Sequence, residues 1–194
     1  MLTSKPADTE TDLAPVIAER WSPRSFDATA DMDDATVLRL LEAARWQASA
    51  NNAQPWRFIV ARRGEPDFQV ISGLLAGFNQ QWAPKASALI VALYESVDVN
   101  GKPRGSAPYD LGLAVANLVT QAATEGWHSH QMGGFTKNGT RDAFQIPAEL
   151  EPLVVIAVGR QAPADQLEDE LRQRELAART RLPLEDIVLR GLPR

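Results

Sequence analysis

The stretch DLGLAVANLVTQAATEGW, Asp110 to Trp127, is apolar on nearly every side, and no other segment constrains the fold as strongly. A helix with one apolar stripe can lie on a surface, whereas one that is apolar all round has to be enclosed, in the middle of a fold or across a subunit interface. The rest of the chain supplies the enclosure. Phe58–Ala61, Ala88–Tyr94 and Leu153–Val158 read as short strands, the last two as unbroken apolar runs buried on both faces. Helices are expected over Leu13–Glu19 under an Asp12 cap, and after Asp33 or Asp34 with Val37, Leu38, Leu41 and Ala44 inward. Two more are expected over Pro66–Leu75, with Phe68, Ile71 and Leu75 inward, and over Thr140–Phe144. Asp110 reads as the cap of the enclosed helix rather than as an acid. Elements alternate without a βαβ rhythm, and no repeat or linker interrupts the 194 residues. Residues 12–194 therefore read as one domain behind a polar, frayed segment 1–11. From about residue 160 a tail begins: a charged helix from Ala164 to Ala177 with a thin stripe of Leu167, Leu171 and Leu176, then a short helix to Arg190. It has little core of its own and needs another surface.

Composition removes several kinds of chemistry. A net charge of -5 with no concentrated basic face argues against nucleic acid. No apolar run approaches the ~20 residues of a bilayer span, and the N-terminus has no apolar core of a signal peptide, so no membrane partner and a cytoplasmic location are expected. With no cysteine there is no disulfide, thiolate nucleophile or Cys metal site. His128 and His130 share one strand face but have no carboxylate near them in sequence, which favours a structural or surface role over metal binding. Ser22 and Ser49 lack a G-x-S-x-G setting, and neither G-x-G-x-x-G after a strand nor G-x-x-x-x-G-K-[ST] occurs. What remains is WQASANNAQPW, Trp46 to Trp56. Ser49, Asn51, Asn52 and Gln54 offer uncharged hydrogen-bonding groups, and Ala48, Ala50 and Ala53 leave room for a flat, polar-edged ligand; the alternative is a capped loop with an exit fixed by Pro55. Arg20 with Arg24, Arg160, and Arg179 with Arg181 are basic spots that either gather on a phosphate or stay as solvated surface charge. Gly133-Gly134 either lets backbone approach a ligand edge or only makes a turn.

Taken in order, these fragments resemble the FMN-dependent nitroreductase family. Arg20-Trp21-Ser22-Pro23-Arg24-Ser25-Phe26 is similar to its Arg-x-Ser-x-(Arg/Lys)-x-Phe opening, and Ser49 to Trp56 to its Ser-x-x-Asn-x-Gln-Pro-Trp motif. Asn79, the Tyr109-Asp110-Leu111-Gly112 helix start, Gly133-Gly134-Phe135 and Arg179-Thr180-Arg181-Leu182-Pro183 fall where the family has related segments. The resemblance implies an α+β fold, a central mainly antiparallel sheet flanked by helices, in an intertwined homodimer with FMN at the interface and the tail on the partner. It implies NADH or NADPH as transient co-substrate and a nitroaromatic, quinone or related acceptor. It further implies that Arg20, Ser22, Arg179 and Arg181 bind the phosphate and ribityl chain and that Arg24 faces the pyrimidine edge. Ala48, Ser49, Ala50 and Asn52 would line the ring, with Trp21, Gln54 and Asn79 also at the cofactor, and the N–H groups of Gly133 and Gly134 would meet N5 and O4. No side chain is then needed as catalyst, because flavin N5 carries the hydride. This chain departs from many relatives in having Ala48-Ser49-Ala50 for Pro-Ser-Ser, Gly133 for Glu, and Trp82 where some place a basic residue. Other branches of the family dehydrogenate or fragment flavin, and a non-catalytic flavin-storage or ligand-binding dimer is the alternative outside enzymology.

Overall fold

The computed structural model describes residues 1–193 and is built on four strands: β1 (Trp56–Arg62), β2 (Ala88–Glu95), β3 (His128–Met132) and β4 (Leu150–Gly159). They pair antiparallel in the order β1-β2-β4-β3. β2 explains the two-faced apolar run: Leu89, Val91 and Leu93 enter one core cluster while Ala88, Ile90 and Ala92 enter the other, as a side-chain period of two requires. In β4 the register slips by one residue between Ala92↔Val154 and Leu93↔Pro152. β3 reaches only as far as Val155, so Pro152 lies where the outer side of β4 needs no N–H donor.

One face is covered by α2 (Asp34–Arg45) and α5 (Ala107–Thr124). The other carries α3 (Pro66–Leu74) and the stripe that leads into α7 (Asp169–Leu176), with α6 (Lys137–Phe144) against α3 and β4. Short helices α1 (Pro15–Glu19), α4 (Gly77–Gln80) and α8 (Leu184–Ile187) complete the fold. No helix among the described residues is long and apolar enough to cross a membrane.

Several expectations need correction. α1 starts at Pro15 with Ala14, not Asp12, ahead of it, because a residue before proline is driven out of helical backbone. α2 is capped by Asp33, whose Oδ1 accepts the Thr36 N–H at 2.7 Å. Its buried face is Thr36, Leu40 and Ala44, an i, i+4, i+8 row, and Leu38 is exposed. α5 begins at Ala107, so Asp110 lies in the first turn rather than at the cap. Its inner face (Leu111, Ala114, Val115, Leu118, Val119, Ala122) is buried, while Tyr109, Gly112, Ala116 and Thr120 form an exposed, mostly small-residue ridge. The expected Ala164–Ala177 helix is a 3-10 turn at Ala164–Gln166 followed by α7. Leu167 and Leu171 close onto the chain's own core, and Glu175, not Leu176, continues the row. Residues 1–11 hold no regular element but meet the body through Thr3, Lys5 and Ala7.

Candidate functional site

The loop after α1 is extended from Arg20, and it is fixed almost entirely by main-chain bonds to the tail. The Arg24 and Ser25 N–H groups donate to the two oxygens of Glu175, at 2.9 and 3.2 Å, and Glu175 is fully buried. The Ala162 N–H donates to the Ser25 carbonyl, the Asp27 N–H to the Arg160 carbonyl, and Gln166 Nε2 to the Phe26 carbonyl. With the backbone held this way, Arg20, Trp21, Ser22 and Arg24 line a cavity of about 190 Å³ together with Lys5, Arg179 and Arg181. Arg20 Nη1 lies 3.4 Å from Ser22 Oγ.

The electrostatics of this cavity are one-sided. Arg39, Arg45, Arg57, Arg62 and Arg63 each hold a carboxylate, but among the described residues Arg20, Arg24, Arg179 and Arg181 form no ion pair. Burial, and then the charges of Arg179 and Arg181, lower the pKa of Arg20; burial also lowers Arg24, Arg179 and Lys5. The Nε of Arg24 is buried without an acceptor. Crowded cations and an unused donor are costly unless an anion joins them.

Phe78 connects the cavity to a second group of residues, its ring lying under the guanidinium of Arg24 (5.9 Å) and that of Arg174 (4.6 Å). Next to it, Asn79 Nδ2 donates to the Gly134 carbonyl at 3.2 Å, and the Ala76 N–H donates to the same oxygen at 2.8 Å. A Cβ on Gly134 would stand 3.2 Å from that of Ala76, so the close approach itself calls for glycine; at Gly133 nothing obstructs. No main-chain bond among the described residues uses the N–H of either glycine. Trp82 is fully buried, stacked on Phe26 and tilted against His130 at 4.5 Å, so this departure is a core residue. His130 Nδ1 meets the Pro23 carbonyl at 3.0 Å, and burial pushes its pKa down to about 4. No group of His, Asp or Glu among the described residues is placed to hold a metal. Arg160 is elsewhere, stacked 4.0 Å over Trp127 and bonded to the Glu125 carbonyl.

Ala48, Ser49, Ala50, Asn52 and Gln54 are not brought to this cavity. Their segment folds on itself, the Gln54 N–H donating to Ser49 Oγ at 2.9 Å, with Asn51, Asn52 and Gln54 all in left-handed backbone (φ 53, 55 and 47°). Holding three non-glycine residues there stores strain. Asp110 anchors the segment: its Oδ2 accepts the Ala50 N–H at 3.3 Å and the Ser106 hydroxyl at 3.2 Å. The segment precedes Trp56, which faces Tyr94 at the end of the sheet where Leu150 begins β4. The arginine loop pairs beyond Gly159, past the other end of that ten-residue strand, whereas Gly133 and Gly134 follow Met132, which pairs with Val155, toward the Leu150 end. One group lies beside edge strand β1 and the other toward edge strand β3.

Sequence reasoning missed Lys5, Glu175 and the anchoring role of Asp110. Glu175 carried a signal, since it follows Leu171 at i+4; Lys5 carried only its being the one cation ahead of α1.

A family model described as the nitroreductase family matches residues 17–67 and 64–160. An uncharacterized 15.4 kDa protein of Mycolicibacterium smegmatis is 32% identical over 143 residues, covering 70% of this chain and 95% of that protein. YdgI of Bacillus subtilis, provisionally named an NAD(P)H nitroreductase, is 23% identical and is covered over 89% of its length, with 78% of this chain. A solved structure described as an oxidoreductase containing FMN superposes with a TM-score of 0.91 at 34% identity, over 99% of this chain and 98% of that one.

Proposed function

Because this chain belongs to the nitroreductase family, we propose that it is an FMN-dependent oxidoreductase taking electrons from NADH or NADPH and giving them to a nitroaromatic, quinone or related acceptor. The observation that carries the reading is the arginine cavity, with its unpaired guanidinium groups and the orphaned Nε of Arg24. A phosphate monoester fits both, bringing close to two negative charges and several acceptor oxygens. Arg20, Ser22, Arg179 and Arg181 would hold it. Arg24 would lie along the pyrimidine edge, where a fixed cation favours the charge gained on reduction. FMN, when bound, supplies hydride transfer at N5. The chain's own part is to bind, orient and bias: Asn79 fixes the Gly134 peptide, and the free N–H groups of Gly133 and Gly134 are available to a polar ring edge.

The remaining candidate residues, Ala48, Ser49, Ala50, Asn52 and Gln54, would come from a second copy, since one chain holds them beside β1, the sheet edge opposite the β3 strand that leads into Gly133 and Gly134. A homodimer with two composite sites follows, and the ridge of Tyr109, Gly112, Ala116 and Thr120 with exposed Leu38 and Trp46 offers surface for it. The tail beyond Leu176, with exposed Leu182, Ile187 and Leu189, would embrace the partner. The test is an anaerobic titration of the yellow protein with each nicotinamide. Bleaching of the flavin band by one or both is expected; no bleaching by either would leave flavin storage as the better account. With no dinucleotide fingerprint, nicotinamide and acceptor should use the same flavin face in turn, so double-reciprocal plots should be parallel. Intersecting lines would require a second nicotinamide pocket.

A further inference from the structure

Residues 3–8 run beside the arginine cavity, held at alternate positions. Gln161 Nε2 donates to the Thr3 carbonyl (2.8 Å), Arg179 Nη1 to the Lys5 carbonyl (2.7 Å), and the Ala7 N–H to the Ala18 carbonyl (2.8 Å). Thr3, Lys5 and Ala7 are half-buried while Ser4, Pro6 and Asp8 are exposed. This period of two is that of an extended strand with one side turned to the body. On that side the Lys5 ammonium sits 4.5 Å from the centre of the Trp21 ring and lines the cavity with Arg20, Arg24, Arg179 and Arg181. It forms no ion pair among the described residues.

We propose that Lys5 is a further binding residue of the cavity, contacting the phosphate of the bound flavin, and that residues 3–8 are the strap that seats it. The proposal rests on the flavin reading above. Its physical ground is charge and support together. The Lys5 ammonium lies over the Trp21 ring, a face that holds a cation without neutralising it, so its charge and N–H donors stay open to an anion. Arg179 lines the cavity and, through the Lys5 carbonyl, fixes the strap, so the two cations are set in register by one hydrogen bond. Glu175, the carboxylate whose charge is felt at Lys5, offsets a single unit against Lys5, Arg20, Arg24, Arg179 and Arg181, so net positive charge is left for a dianion.

The experiment compares FMN with riboflavin, which lacks the phosphate. Apo-protein is titrated with each, following flavin fluorescence, for the wild type, Lys5→Met and Lys5→Arg. Lys5→Met should lose about tenfold in FMN affinity and nothing in riboflavin affinity, and Lys5→Arg should keep most of the FMN affinity. An equal loss for both flavins would make Lys5 scaffold only, and undiminished FMN affinity would remove it from the site; either overturns the proposal. A wild type that binds neither flavin overturns the flavin reading itself and this proposal with it.

Discussion

Glu175 stands beside a guanidinium and does not pair with it. Its two oxygens accept the N–H groups of Arg24 and Ser25, which places the loop while leaving the Arg24 side chain available. Glu175→Ala should therefore strand two buried donors and cost about 2–4 kcal/mol, read as a lower urea midpoint at unchanged m. Glu175→Gln keeps one acceptor oxygen and should lose less. His130 gives a pH-dependent counterpart. Burial holds its pKa at about 4 against an ordinary 6.5, so between those values the unfolded chain binds the proton and the folded one does not. Stability contributed by neutral His130 is full above pH ~6.5 and declines as pH falls toward 4, by up to roughly 3 kcal/mol. His128 shifts in the same direction. Replacing His130 by Gln should flatten that decline in urea titrations across pH 6.5 to 4.5; an unchanged slope would show that the ring titrates normally.

In the helices and strands, legibility followed local periodicity and failed where a tertiary partner decides. The strand cores at Ala88–Tyr94 and Leu153–Val158 were readable because both faces are apolar, and the inward set of α3 (Phe68, Ile71) with Leu75 obeyed helical spacing. In α2 the same rule misled, since both Leu38 and Leu40 fit an apolar row and only the packing of α5 selects Leu40. Ser106 with Pro108 was an available sign that α5 starts before Asp110. The arginine cavity was legible as separate motifs, but which motifs one chain can bring together was not, because that depends on strand order. For α7 the row Leu167, Leu171, Glu175 separates core from tail. Removing residues 177–194 should leave a cooperative thermal transition but strip flavin, since Arg179 and Arg181 leave while Leu171 stays; a truncated protein that remains fully yellow would contradict their role. Leu171→Ala should cost about 2–5 kcal/mol, as a fully buried leucine does.

Across the whole molecule, the proposed division of the site between two copies can be tested by mixing. Arg20→Ala damages the cavity half and Asn52→Ala the segment half. Refolding the two variants together should give heterodimers in which one site carries both lesions and the other carries none. Random assortment makes heterodimers about half of the population, so roughly a quarter of sites should regain flavin. No recovery would mean each chain completes its own site. The bonds from Arg179 to the carbonyls of Lys5 and Ala18 join positions 174 and 161 residues apart. Contacts of such span close the longest loops and are the last to reward the chain for the entropy they cost. The cavity should consequently be among the latest parts to form during refolding and among the first to open in native-state hydrogen exchange. Only a chain whose two ends have already found each other would then be able to keep its flavin, so colour would report completion of folding and not merely collapse.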